Sequence, residues 1–230
     1  MPDLRRRTIT AIVYAAIVLL AIAAPPIVLW IALVGVGRFG LSELRALRAG
    51  RASIIFGTVF FLGLFCLGSL KAAGALGARP GTAESLPVWL ILVIVSTWAA
   101  DVAAYLVGSA VGRRRIAPSI SPGKTLEGTI AGFIACALVA VAVGVAFGMP
   151  RAPELVVAIG LGPVGLAGDL LESFVKRRAG VKDSGAILPG HGGLLDRLDS
   201  LVAGAIFAEV VLGAWVLSGF GSVDGIVQRF

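Results

Sequence analysis

The sequence predicts an all-α, polytopic transmembrane helix bundle of about seven spans, with a cytoplasmic N-terminus. Three observations predict it. First, 58% of the 230 residues are hydrophobic and the mean hydropathy is +0.98. Second, charged residues make up only 14%, against roughly 25% in a soluble domain, too few to solvate a water-exposed fold. Third, the apolar residues gather in runs near the ~20 residues that a bilayer-crossing helix needs. Glycine, at 31 residues, points to closely packed helices.

The predicted spans are 8–24, 26–43, 53–70, 86–112, 126–148, 154–175 and 194–218. Arg5, Arg6 and Arg7 before an apolar run resemble a secretory signal, but the next apolar run begins directly after Pro25 and Pro26, so 8–24 reads as the first span. The second is interrupted by Arg38 and fades near Glu43. In the sixth, Gly160, Gly162, Pro163, Gly165 and Gly168 predict a bent, partly open backbone, tolerable only inside protein or beside water. No internal repeat or low-complexity linker is present. The chain therefore reads as a single integral-membrane domain over 1–230, with chemically bland N-terminal spans (1–81) and a C-terminal half (86–218) that carries the polar residues.

Sixteen of the 20 Lys and Arg residues fall on the side shared with the N-terminus; Lys71, Arg79, Arg151 and Arg229 fall on the other. This asymmetry predicts that side to be cytoplasmic. It also accounts for the net charge of +7 without nucleic acid as a partner. Cys66 and Cys136 lie in apolar runs and read as small buried hydrophobes, with neither a disulfide framework nor zinc spacing.

Ionisable residues within spans are costly and mark function by default. Asp101 lies in the fourth span, with Tyr105, Gly108 and Gly112 on its face. Asp169 and Glu172 lie in the sixth, with Ser173 and Lys176 on theirs; an ion pair that only fixes helix packing is the plainer alternative. Asp196 and Asp199 share a face in the first turn of the seventh, where the helix dipole alone favours acids. Two carboxylates there plus Asp169 on another helix suit a hard divalent cation, which takes oxygen ligands from carboxylates and phosphates. The segment 177–193 is rich in glycine and in cations, including Arg177 and Lys182, as an anion site requires, and His191 between glycines is a candidate hydrogen-bond donor to a phosphate or ligand-orienting group. The other polar loop, "SPGKTLEG" over 121–128, lacks the first glycine of a P-loop and a preceding strand. Lys124, Thr125 and the helix start after them can still hold phosphate, or Thr125 and Glu127 can simply cap the fifth span. Together these features suit a polyphosphate nucleotide meeting a membrane-borne substrate.

The stretch "SFVKRRAGVKDSGAILPGHGGLLDRLDS", 173–200, resembles the signature of the phosphatidate cytidylyltransferase (CDP-diacylglycerol synthase) family: Ser, Lys-Arg two residues on, Lys-Asp-Ser-Gly, Pro-Gly-His-Gly-Gly and Asp-Arg-x-Asp. The resemblance extends back through "SPGKTLEG" and "ADVAAYLVGSAVG" to about Trp89. It implies conversion of CTP and phosphatidic acid into CDP-diacylglycerol and pyrophosphate at the inner membrane, with magnesium, a second cation such as potassium, and a homodimer. By the same resemblance Asp169 and Asp196 match the family's metal-holding acids. Lys176, Arg177, Lys182, Asp183, His191, Arg197 and Asp199 match other signature positions. Ser121 and Lys124 match an upstream phosphate-side motif, and Asp101 matches a family acid. Two departures stand out: the N-terminal part is shorter than in many members, and Leu126 stands where the family often has an aromatic residue. The alternatives are a CTP-dependent enzyme acting on another lipid, such as a polyprenol or archaeal-type lipid, and a proton-coupled transporter using Asp101, Asp169 and Glu172. The transporter's expected pair of repeated broken helices is missing. The four spaced aspartates of CDP-alcohol phosphotransferases are also absent.

Overall fold

The computed structural model describes residues 16–75, 86–185 and 192–218. It is a multi-pass helix bundle. Helix α1 is described over 16–23 and breaks at Pro25. Then follow α2 (Pro26–Leu47), α3 (Arg51–Ala75), α4 (Val88–Val111), β1 (Arg115–Ala117), β2 (Ser121–Thr125), α5 (Leu126–Ala146), α6 (Arg151–Arg178) and α7 (Leu195–Leu217). Among the described residues, six helices, α2 to α7, are long and apolar enough to cross a membrane. The remaining predicted span, 8–24, lies largely outside the described residues.

The helices alternate in direction, so the α2–α3, α4–α5 and α6–α7 connections share one end of the bundle. Glu43 near the end of α2 bonds to residues at the start of α7, which fixes that end as common. At the opposite end the Lys71 ammonium of α3, 4% exposed, donates to the carbonyls of Ala21 and Ile22. Those are orphan acceptors at the end of α1, so one cation satisfies two backbone groups that have no helical partner.

The core lies where α3, α4, α6 and α7 meet, around Phe56, Phe60, Leu92, Val93, Leu161 and Val202. The most extensive helix contacts are α4 with α5, α6 with α7, and α3 with α7. Glycine sets two of these distances. A Cβ on Gly128 of α5 would lie 2.6 Å from the Ala104 carbonyl oxygen of α4, and one on Gly168 of α6 would lie 2.5 Å from the Asp199 carbonyl oxygen of α7. Backbone meets backbone at both points, and a side chain would push the helices apart.

Three expectations are corrected. The second span does not fade at Glu43 but runs to Leu47, because the Glu43 carboxylate is buried against donors from α7 rather than left to terminate the helix. The sixth span is not opened: α6 passes through Pro163 as one unbroken helix of 28 residues. The polar loop read over 121–128 is not irregular: residues 121–125 pair with 115–117, and α5 starts at Leu126. The two strands form an antiparallel hairpin pairing Arg115 with Thr125 and Ala117 with Ser121. Pro118 and Pro122 exclude a helix here, and Arg177 of α6 donates from Nε to the Ile120 carbonyl at 3.1 Å, tying the hairpin to the bundle.

Candidate active site

The end of the bundle that carries the hairpin also carries the polar residues of α4, α6 and α7. Lys124 projects from β2, and its ammonium donates to Oδ2 of Asp169 on α6. The neighbouring Thr125 caps α5, its hydroxyl accepting from the Gly128 amide at 3.2 Å. The capping alternative is thus realised for Thr125. Glu127 serves a different end: its Oε2 accepts from the amides of Arg113 and Arg114 at 3.0 and 3.3 Å, just beyond α4.

Asp169 accepts from Ser173 one turn along α6, at 3.3 Å. Asp101 of α4 and Asp199 of α7 both lie within electrostatic range of Asp169 and of Lys124, and Asp101 also of Arg197. Three carboxylates from three helices therefore face one lysine from the hairpin. Asp199 is buried at 9% exposure, and its Oδ1 accepts from the Ser200 amide at 2.7 Å. Asp101, Lys124, Thr125, Asp169 and Ser200 line a cavity of about 290 Å³ that continues between α4, α5 and α6 past Tyr105 to Thr97, Cys136 and Leu161. It stands near the lower end of the roughly 300–1,000 Å³ of ligand pockets. One end is charged and the other apolar.

The second acidic predicted position has its own setting. Asp196, in the first turn of α7, accepts from Lys176 Nζ at 2.5 Å through Oδ1, and from the amides of Gly193 and Ser184 at 2.7 and 3.0 Å through Oδ2. Gly192 has φ +80°, so the approach to α7 uses a left-handed turn that favours glycine. Lys176 also stands 2.6 Å from Oε2 of Glu172, which is 1% exposed. The two form an ion pair one turn apart on α6. Glu172 lies within electrostatic range of both Asp196 and Asp199. The acids thus form a row, Asp101 and Asp169, then Asp199, Glu172 and Asp196, with Lys124, Arg197 and Lys176 set against it.

Among the described residues no three His, Cys, Asp or Glu side chains converge as a ready metal cage. Asp169 and Asp196 hold different lysines rather than a common partner. The donor chemistry still fits magnesium, which binds through one or two carboxylates and substrate phosphates rather than an all-protein cage. An ammonium on each carboxylate marks these oxygens as cation-seeking.

Of the other predicted positions, Arg177 is committed to the Ile120 and Val181 carbonyls, Lys182 and Asp183 are exposed, Ser121 is half-buried on β2, and His191 lies outside the described residues. Sequence reasoning missed Glu43, in the part read as bland. It is 4% exposed and accepts from Ser184 Oγ at 3.0 Å and from the Leu194 and Leu195 amides at 2.9 and 3.0 Å. The available signal was its isolation: it is the only acid between Asp3 and Glu84.

Six helices of membrane-crossing length, with acids and lysines gathered toward one end, define a multi-pass integral-membrane protein. The chain belongs to the Cytidylyltransferase family, which it matches over residues 78–215. It is similar to a phosphatidate cytidylyltransferase of Haemophilus influenzae, 42% identical over 125 residues (51% of this chain and 43% of the relative). A phosphatidate cytidylyltransferase of Mycobacterium bovis is 37% identical over 165 residues (70% and 51%). An uncharacterized protein of Escherichia coli strain K12, YnbB, is 42% identical over 114 residues (49% and 38%). The chain spans about half, or less, of the length of these relatives.

Proposed function

We propose that the chain transfers the cytidylyl group of CTP to phosphatidate, forming CDP-diacylglycerol and pyrophosphate. A phosphate oxygen of the lipid attacks the α-phosphorus of CTP, and the bond from that phosphorus to the oxygen leading to the β-phosphorus breaks. Pyrophosphate leaves with that electron pair. The single observation that carries the reading is the cavity joining Asp101, Lys124 and Asp169 at its charged end to an apolar depth between α4, α5 and α6. Such a shape suits a soluble polyphosphate meeting a lipid headgroup. The matches to phosphatidate cytidylyltransferases of Haemophilus influenzae and Mycobacterium bovis support it.

The reaction needs positioning and charge neutralisation more than covalent chemistry. Lys124 carries a cation on the short hairpin beside α6 and offers its ammonium either to Asp169 or to an incoming phosphate. Lys176, held between Glu172 and Asp196, supplies a second cation, and Arg197 a third. Asp169 and Asp196 would hold magnesium, which when bound neutralises phosphate charge and polarises the phosphorus–oxygen bonds. The cation-rich end is proposed to face the cytoplasm of the inner membrane, where CTP is available.

The test uses purified protein in detergent, CTP labelled at the α-phosphorus, phosphatidate and magnesium. Label entering a lipid, with stoichiometric pyrophosphate, is expected. Label entering only a polyprenyl or archaeal-type lipid would move the activity to another acceptor, and no transfer to any of them would overturn it.

A further inference from the structure

The family match begins at residue 78, yet one carboxylate from before it holds the start of α7. We infer that Glu43 is a positioning residue for Asp196, so that α2 completes the site from outside the matched region. Its two oxygens take three donors. Oε1 accepts from the Leu194 amide, and Oε2 accepts from the Leu195 amide and from Ser184 Oγ. These donors are the immediate neighbours of the groups that hold Asp196, whose Oδ2 accepts from the amides of Ser184 and Gly193. Ser184 is shared directly: its hydroxyl goes to Glu43 and its amide to Asp196. The two acids thus hold adjacent donors at Ser184 and at the start of α7.

Physical chemistry favours a carboxylate over any neutral group here. The first amides of a helix lack helical partners and carry positive partial charge, so an anion satisfies both the hydrogen bonds and the dipole. Space is also taken. A Cβ on Gly185 would lie 2.5 Å from Glu43 Oε1, and one on Gly193 would lie 2.7 Å from Oε2. Both glycines are therefore packed around this side chain. Glutamine has nearly the same shape but would direct an NH₂ group at N–H donors, so these contacts open without a change in volume.

This role rests on the reading of Asp196 as a metal-holding carboxylate, and the test separates the two. In metal-free protein, hydrogen exchange of the Leu194 and Leu195 amides is expected to rise about tenfold in Glu43→Gln, with α4 and α5 unchanged. In turnover assays the magnesium concentration giving half-maximal rate is expected to rise about tenfold, with the KM for CTP within about twofold. Ser184→Ala, which removes one of the three bonds, should shift both readouts in the same direction by less, and it serves if Glu43→Gln does not fold. Faster exchange with unchanged magnesium dependence would make Glu43 a structural cap and overturn the inference. Unchanged exchange in both variants would overturn it outright. Absence of cytidylyl transfer by the unaltered protein, with the exchange effect intact, would instead sink the proposed reaction.

Discussion

Replacing Asp169 by asparagine keeps the volume and one acceptor oxygen but removes the charge that Lys124 faces. Replacing Asp196 likewise breaks its pairing with Lys176 and puts an NH₂ group within reach of two backbone amides. Turnover should fall by about 100-fold or more in Asp169→Asn and in Asp196→Asn, as for the loss of a transition-state electrostatic contact, while the protein still inserts and purifies as a folded species. Normal turnover in either would remove that carboxylate from the chemistry. Lys124→Ala should act differently. It removes a cation at the cavity mouth, and with it the ammonium on Asp169, while both metal-seeking carboxylates stay in place, so the KM for CTP should rise about tenfold, equivalent to ~1.4 kcal/mol. A KM equal to that of the unaltered protein would make the Lys124–Asp169 pair a packing contact.

The hairpin and the close helix crossings carry predictions of stability. Thr125 satisfies the Gly128 amide at the start of α5. Thr125→Ala should cost about 1 kcal/mol, the usual value of an N-cap, read as a lowered melting temperature in detergent. Gly168 meets the Asp199 carbonyl, so the methyl of Gly168→Ala has backbone rather than a flexible side chain to displace. The expected cost is about 1–3 kcal/mol, together with reduced turnover, because Asp169 and Asp199 flank the forced contact. A fully stable and active Gly168→Ala would mean that α6 and α7 slide without disturbing the acids. The sequence identified this glycine-rich run but not its effect. Glycine permits an open backbone and a close crossing equally, and the packing of α7 selects the crossing.

At the scale of the whole molecule, the α2–α3, α4–α5 and α6–α7 connections share one end, and the hairpin of the α4–α5 connection lies there with the first turn of α7. From the cation distribution we propose that this end faces the cytoplasm. A cysteine introduced at Arg114 should be labelled by a membrane-impermeant thiol reagent only after cells are opened, and one at Ala152 in intact spheroplasts. Both positions are exposed, and the buried Cys66 and Cys136 should stay silent. The reverse pattern would invert the protein and remove CTP from its site. The apolar runs made the spans legible, the cost of an acid within a span singled out Asp169, and the signature singled out Lys176 and Asp196. Glu43, in the N-terminal part read as bland, reaches across to the start of α7.

Composition and the length of the apolar runs by themselves determined that this chain crosses a membrane repeatedly, where helices α2 to α7 begin and end to within five residues, and which acids are out of place in an apolar setting. A helix in lipid must satisfy its own backbone, so its limits are written locally in the run of apolar residues. The tertiary structure alone decided which charges meet. It paired Lys124 with Asp169 and Lys176 with Asp196, and it brought Glu43 to α7 across 151 positions of sequence. Those pairings depend on helix crossings set by glycines on different elements, and no local pattern encodes a distance between two helices.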